Sequence, residues 1–286
     1  MRPVTDLARL LISCPDRHGI VAAVSTTLAA AGANIVQSDQ YSTDPEGGRF
    51  FLRMEIHLEE LAARREALEV GLARLAESFD MTWRLTAADA RKRVALFVSR
   101  QDHCLLDLLW RWRRGELPIH VACVISNHLD LEQEVRAFDV PYHHVPISPE
   151  TKTQAEAREL ELLAGRVDLV VLARYMQVLS QDFLDRVGVP VINIHHSFLP
   201  AFAGGSPYGQ AHERGVKLIG ATAHYATADL DDGPIIEQDV SRVTHRHDTR
   251  ELASIGRDVE RVVLARAVRW HVDDCVLQDG NRTIVF

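Results

Sequence analysis

Val191-Ile192-Asn193-Ile194-His195-His196-Ser197-Phe198-Leu199-Pro200 is an apolar strand that runs out into polar side chains. Asn193 and His195 stand two positions apart, so the period of a strand turns both to one face. Farther along, Leu230-Asp231-Asp232-Gly233-Pro234 reads as a loop able to carry the Asp231 carboxylate to the same place. An amide, an imidazole and a carboxylate that converge are the parts needed to polarise a carbonyl and activate an attacking water. Residue by residue, a plainer reading stays open, in which the first two end a strand and Asp231 caps a turn.

The neighbouring segments set this strand in a sheet. Val94 to Ser99, His120 to Ser126, Asp168 to Leu172 and Pro190 to Ile194 are short apolar runs, and Leu105 to Trp112 and Ala155 to Leu163 between them carry helical spacing. Such alternation is the pattern of an open, mostly parallel sheet covered on both faces. Ligands bind these sheets at the carboxyl ends of the strands, where Asn193 and His195 fall. Ile235 to Val243 then reads as a strand, Leu252 to Val272 as a long helix, and residues 276 to 285, around Asp279-Gly280-Asn281, as a closing hairpin.

Upstream the pattern differs. Leu7 to Ser13 is an apolar strand, Pro15-Asp16-Arg17-His18-Gly19 a turn, and Ile20, Val24, Leu28 and Ala31 one face of a helix closed by Gly32. Asn34 to Ser42 and Arg49 to His57 flank the turn Asp44-Pro45-Glu46-Gly47-Gly48. Phe50, Leu52, Met54 and Ile56 alternate there with Phe51, Arg53, Glu55 and His57, which predicts one face on helices and one open or shared with a partner. A helix through Leu61, Leu68, Leu72 and Leu75 and a strand from Met81 to Leu85 complete a βαββαβ sandwich. The expected division is 1–86, a linker at 87–93, and 94–286.

The 286 residues suit two domains. A charged fraction of 25%, an apolar fraction of 47% and a net charge of −8, with a pI near 5.9, argue against a nucleic-acid partner held by phosphate contacts. Cys14, Cys104, Cys123 and Cys275 lack Cys-x-x-Cys spacing, which disfavours zinc and a disulfide framework and fits a reducing compartment. The first residues carry no apolar leader core, and no apolar run nears the roughly 18 residues of a membrane span. A cytoplasmic location without membrane contact is expected.

Two resemblances sharpen this. Cys14-Pro15-Asp16-Arg17-His18-Gly19-Ile20-Val21, with Gly32-Ala33-Asn34-Ile35, resembles an ACT domain, a ferredoxin-like regulatory module that commonly binds small amino acids between paired copies. Val170-Val171-Leu172-Ala173-Arg174-Tyr175-Met176-Gln177-Val178-Leu179-Ser180, Asn193 to Pro200 and Gly220 to Asp239, with His224-Tyr225, resemble the folate-dependent formyltransferase fold. The two together are similar to the formyltetrahydrofolate deformylase family. That resemblance implies hydrolysis of 10-formyltetrahydrofolate to tetrahydrofolate and formate, feeding purine synthesis and balancing the one-carbon pool, with no cofactor required. It implies Asn193 and His195 as donors to an oxyanion and Asp231 as the group that charges His195 and holds water. Met176, Gln177, Val178 and Leu179 would pair with the pterin, Leu105 and Val145 would be wall residues, and His224 and His196 would stand behind the triad. Glycine or methionine would be the effectors, sensed near Asp16, Gly19 and Asn34 in a homodimer or homotetramer.

Further residues bear on the reaction. His103 is read as a helix cap, and His143, His144, His245 and His247 lack ligand partners, so no metal is assigned. Transferases of this fold cradle a substrate phosphate on a Gly-rich loop after the first strand. Here Ser99-Arg100-Gln101-Asp102-His103-Cys104 stands there, without glycine and with an added carboxylate, which favours water as the acceptor. Formyl transfer to an amine is the alternative reaction, and a non-catalytic folate and amino-acid sensor the alternative role. One departure is the pair Ala203-Gly204-Gly205-Ser206 and Pro207-Tyr208-Gly209-Gln210: the family tends to carry a bulkier polar residue after Pro-Tyr, and this stretch reads as a flexible loop beside the site.

Overall fold

The alternation of Leu10, Ile12, Leu52, Met54 and Ile56 resolves into one buried face of a sheet, packed on Val24, Leu28, Leu68 and Leu72 from two helices. The structure, a computed structural model, describes residues 6–44, 46–200 and 207–286. The chain forms two units, one of residues 1–90, 273–279 and 284–286, the other of 91–272 and 280–283. In the first, β1 (Leu7–Pro15), α1 (Ile20–Ala30), β2 (Asn34–Ser42), β3 (Arg49–His57), α2 (Leu61–Phe79) and β4 (Thr82–Ala87) follow the expected βαββαβ order. Their antiparallel sheet is ordered β2-β3-β1-β4.

The other face of that sheet, expected to be open or shared with a partner, is covered in part from within the chain. Phe51 is fully buried, and Arg53 donates from Nε to the Asp274 carbonyl at 3.0 Å and from Nη2 to that of Asp273 at 3.1 Å. Arg9 and Arg84 reach the Asp273 and Asp274 carboxylates at 3.3 and 2.8 Å. Residues near the carboxyl end of the chain thus cover the face, and clustered guanidiniums make the buried Asp274 charge tolerable there.

The second unit holds β5 (Lys92–Val98), α3 (His103–Arg113), β6 (Ile119–Ser126), α4 (Glu132–Arg136), β7 (Tyr142–His144), α5 (Lys152–Leu163), β8 (Leu169–Leu172), α6 (Gln181–Val187), β9 (Val191–His195), α7 (Pro207–Arg214), β10 (Leu218–Tyr225), β11 (Ile235–Arg242) and α8 (Thr249–Val272). Its sheet is ordered β11-β10-β9-β8-β5-β6-β7, parallel from β9 through β7, with β10 and β11 antiparallel. β12 (Val276–Asp279) and β13 (Arg282–Val285) pair as the expected hairpin. Val94 to Val98 are all at 0% exposure, as a strand covered on both faces requires. Strand order reverses between β5 and β8, so their carboxyl ends flank a topological switch point, with the end of β9 next to β8. Among the described residues, no helix is long and apolar enough to cross a membrane.

The segment after β8 is pinned from below. Ser99 Oγ accepts from Met176 N at 3.0 Å and donates to Asn127 Oδ1 at 2.8 Å. Ser180 caps α6 by accepting from Phe183 N, and both its N and Oγ donate to Glu156. Tyr175 Oη donates to the fully buried Glu159 at 2.7 Å. Burial pushes the Glu159 carboxyl up to about 7, against the Tyr175 hydrogen bond, which pulls the other way. A folded-state value raised above that of the unfolded chain means the fold binds the extra proton, so stability falls as pH rises from the ordinary carboxylate range to about 7. Glu159→Gln is expected to flatten that slope in thermal unfolding followed across those pH values; an unchanged slope would assign it to another group.

Candidate active site

Antiparallel pairing of β9 with β10 sets His224 opposite Asn193 and Thr222 opposite His195, so all four side chains share one face. A register shift between Ala223 and His224 marks a bulge on the β11 side, a device that re-aims side chains beside sites. Thr222 Oγ1 donates to the Ser197 carbonyl at 2.9 Å and accepts from Leu199 N at 3.0 Å and Gln238 Nε2 at 2.9 Å. That network fixes the chain leaving β9 and with it the end that bears His195.

Asp231 closes the group. Its Oδ2 lies 3.1 Å from His195 Nδ1 and its Oδ1 3.8 Å from His224 Nε2, with 8% of its side chain exposed. The backbone there is left-handed, φ 58°, a conformation aspartate tolerates better than most residues. Gly233 permits the loop's approach to β10, because a Cβ on it would fall 1.7 Å from the Tyr225 carbonyl oxygen.

The hydrogen bonds define the proton positions. His224 Nδ1 faces the Tyr225 carbonyl at 3.0 Å, which only accepts, so Nδ1 carries the proton. Nε2 then accepts from Asn193 Nδ2 at 3.2 Å. Burial holds His224 below the usual histidine range and so keeps this neutral form. Burial also pushes His196 down to about 4, with the Arg174 charge adding to it. For Asp231, burial works upward, but the hydrogen bond from His195 and the charges of His195, His224 and His196 outweigh it, and the carboxyl is held below its ordinary value. His195 Nε2, the nitrogen turned away from Asp231, is buried without a hydrogen-bond partner among the described residues.

A cleft of about 320 Å³ opens over these groups, lined by Leu172, Arg174 to Leu179, Asn193 to His196, His224, Ala226, Thr227 and Asp229 to Asp231. Exposed Met176, Val178 and Leu230 form an apolar rim suited to a flat ring. The chain matches the family described as "Formyl transferase" over residues 92–268 and that described as "ACT domain" over 8–70. It is 58% identical over 282 residues to the formyltetrahydrofolate deformylase of Mycobacterium bovis, covering 98% of this chain and 91% of the relative. The chain belongs to the formyltetrahydrofolate deformylase family. The Bacillus subtilis deformylase is 53% identical over 98% of this chain and 94% of its own. A crystal structure of the Pseudomonas syringae pv. tomato deformylase superposes with a TM-score of 0.92 at 49% identity, covering 98% and 94%.

Within this deformylase-family chain, the structure gathers Asn193, His195, Asp231, His224, His196 and Met176 to Leu179 around one cleft. Leu105 and Val145 are not among its lining residues. Leu105 is at 0% exposure on α3, and Val145 sits in the core with Phe97, Ile125 and Val170. His103 does not cap α3: Asp102 holds the cap position, and His103 Nε2 meets Glu260 Oε2 at 2.8 Å. His103, Cys104 and Glu260 form the one metal-capable group among the described residues, but Glu260 is already engaged by His103, Arg174 and Tyr208, so no metal is assigned there. Pro207 to Gln210 open α7 rather than a loop, while the expected loop Ala203-Gly204-Gly205-Ser206 lies outside the described residues.

The expected effector residues do not meet within one chain. Asp16, which accepts from Ser42 Oγ, and Gly19, φ 89° at the start of α1, lie where β1 ends opposite Arg49. Asn34 begins β2 opposite His57, at the other end of the sheet, one strand length or roughly 27 Å away. The antiparallel order of β2 and β3 enforces that separation. Arg174 and Glu260 meet at 3.4 Å although 86 positions separate them, and nothing in their spacing joins them in the sequence.

Proposed function

We propose that this chain hydrolyses 10-formyltetrahydrofolate to tetrahydrofolate and formate, with the pterin along Met176 to Leu179 and the formyl group between Asn193, His195 and Asp231. The contact of Asp231 with His195, a residue that lines the cleft and whose Nε2 has no hydrogen-bond partner among the described residues, carries the reading. Water attacks the formyl carbon and gives a tetrahedral oxyanion. Asn193, one N–H committed to His224, offers the other to that oxygen, a kind of donor worth about 2.7–4 kcal/mol in water-excluded sites. Asp231, held ionised, orients the water and stabilises the charge on His195 as a proton leaves the water for the His195 ring, whose Nε2 then delivers one to N10 as the C–N bond breaks. The reaction needs no cofactor in this scheme, and the cytoplasm, where folates and water are at hand, is the proposed location.

The test is incubation of the protein with 10-formyltetrahydrofolate and no acceptor. Formate should appear, and added glycinamide ribonucleotide should not raise its rate. Strict dependence on an amine would transfer the reading to a formyltransferase; tight folate binding without any turnover would make the chain a sensor.

For the ACT unit the proposal is assembly through the exposed edge strand β2 into a homodimer or a pair of dimers. Two β2 edges paired antiparallel bring Asn34 of one copy beside Asp16 and Gly19 of the other, where glycine or methionine could bind. Asn34→Ala is then expected to abolish amino-acid binding in calorimetry while formate release persists. Binding at wild-type strength by that variant would place the effector elsewhere.

A further inference from the structure

Arg174 lines the cleft, yet the hydrolysis just described leaves it without a task. Its φ of 64° is a left-handed conformation that long side chains rarely adopt, and its residue is only 6% exposed. Such a backbone outlier persists where its surroundings over-determine it, and it is a pointer to function. The surroundings do so here. The Arg174 carbonyl accepts from Ser99 N at 3.2 Å, and its Nε lies 3.0 Å from Gln101 Oε1 and 3.4 Å from Glu260 Oε2. Glu260 is itself held by His103 and, at 2.7 Å, by Tyr208 Oη. Gly256, four positions before Glu260 on α8, makes room for that tyrosine: a Cβ on it would lie 1.9 Å from Tyr208 Oη. The His196 ring, 5.1 Å from that of His195 and 5.9 Å from that of Tyr208, joins the cluster to the reaction centre.

Gln101 and His103 belong to the segment that follows β5, where a phosphate-cradling loop is missing. Instead of receiving an anion, that segment clamps a guanidinium and its carboxylate partner. We propose that Arg174 is a specificity-determining residue: clamped by Gln101 and Glu260, it fills the acceptor side of the reaction centre, so that water and not an amine reaches the formyl carbon. The inference rests on the hydrolytic reading above. Water is small and neutral. An amine brings a stem that needs the guanidinium's volume, and its prevalent ammonium form is repelled by the guanidinium charge at short range. In both reactions the bond from formyl carbon to N10 breaks and N10 gains a proton. With water a C–O bond forms and formate leaves as its second proton goes to solvent; with a primary amine a C–N bond forms and a formamide leaves.

Arg174→Gly fits the left-handed backbone and removes the plug. With 10-formyltetrahydrofolate and glycinamide as the amine probe, the wild type should yield formylglycinamide no faster than the enzyme-free control, and the variant should raise the ratio of formylglycinamide to formate at least tenfold over the wild type's. An unchanged ratio in a variant that still releases formate overturns the proposal while leaving the hydrolytic reading intact. A wild type that makes no formate would instead sink the hydrolytic reading itself. Should loss of the guanidinium alone unfold the chain around Glu260, the double variant R174G/E260Q removes both charges together and is read in the same way. Failure of both to fold would make Arg174 purely structural and would also overturn the assignment.

Discussion

Asp231→Asn is expected to lower formate release by about 10²–10⁴-fold with folate binding and thermal stability nearly unchanged. Asparagine suits the left-handed backbone at φ 58° about as well as aspartate, so the loop should stay in place. What changes is charge and proton logic. The carboxylate presents only acceptors to His195 Nδ1 at 3.1 Å, whereas an amide can present N–H and impose the other tautomer. The carboxyl is also held below its ordinary range, so the wild-type acid limb should lie below that of a free carboxylate, and it should vanish in the variant. Formate release against pH, with folate binding by calorimetry, checks both. Turnover near the wild-type rate would show that another group activates the water.

How legible this site is depends on the range of the interactions that build it. Asn193 and His195 can be read from strand parity alone, because alternation is a local property of five consecutive residues. The place of Met176 to Leu179 beside the site follows from the resemblance, and the structure lines the cleft with those four residues. Leu105 and Val145 are buried away from the cleft lining, and apolarity does not say which side of a helix or which end of a strand faces the opening. His224 could be named but not placed, since its bond to Asn193 depends on the register of β9 against β10, which one strand's sequence does not contain. The same holds for the first unit: alternation along β3 identified two faces, but that residues 273 and 274 cover one of them is written in a pairing more than 200 positions long. Composition likewise cannot reveal that Arg174 and Glu260 meet.

Gly233→Ala should be nearly as damaging as loss of the carboxylate, although it removes no chemical group. A methyl at that position would lie 1.7 Å from the Tyr225 carbonyl oxygen and 3.2 Å from His224 Nδ1, so either the loop or the carbonyl must move. If the loop moves, Asp231 leaves His195; if the carbonyl moves, His224 loses the acceptor that fixes its tautomer, and Asn193 loses its orientation. Both routes misplace a reacting group, and a displacement of about 1 Å can cost 10²-fold. The hydrogen bond from Tyr225 N to the Pro234 carbonyl, 3.0 Å, ties the loop to the end of β10, so the strain cannot be shed without disturbing that strand. Formate release is therefore expected to fall at least 10²-fold in a folded variant that still binds folate. The double variant with Asp231→Asn separates this account from a general loss of stability. If Gly233 acts through the position of Asp231, the double variant should be no slower than Asp231→Asn alone, because the two changes break one unit. Fully multiplicative losses would show instead that Gly233 acts through His224 and Asn193 or through the fold, and not through the carboxylate.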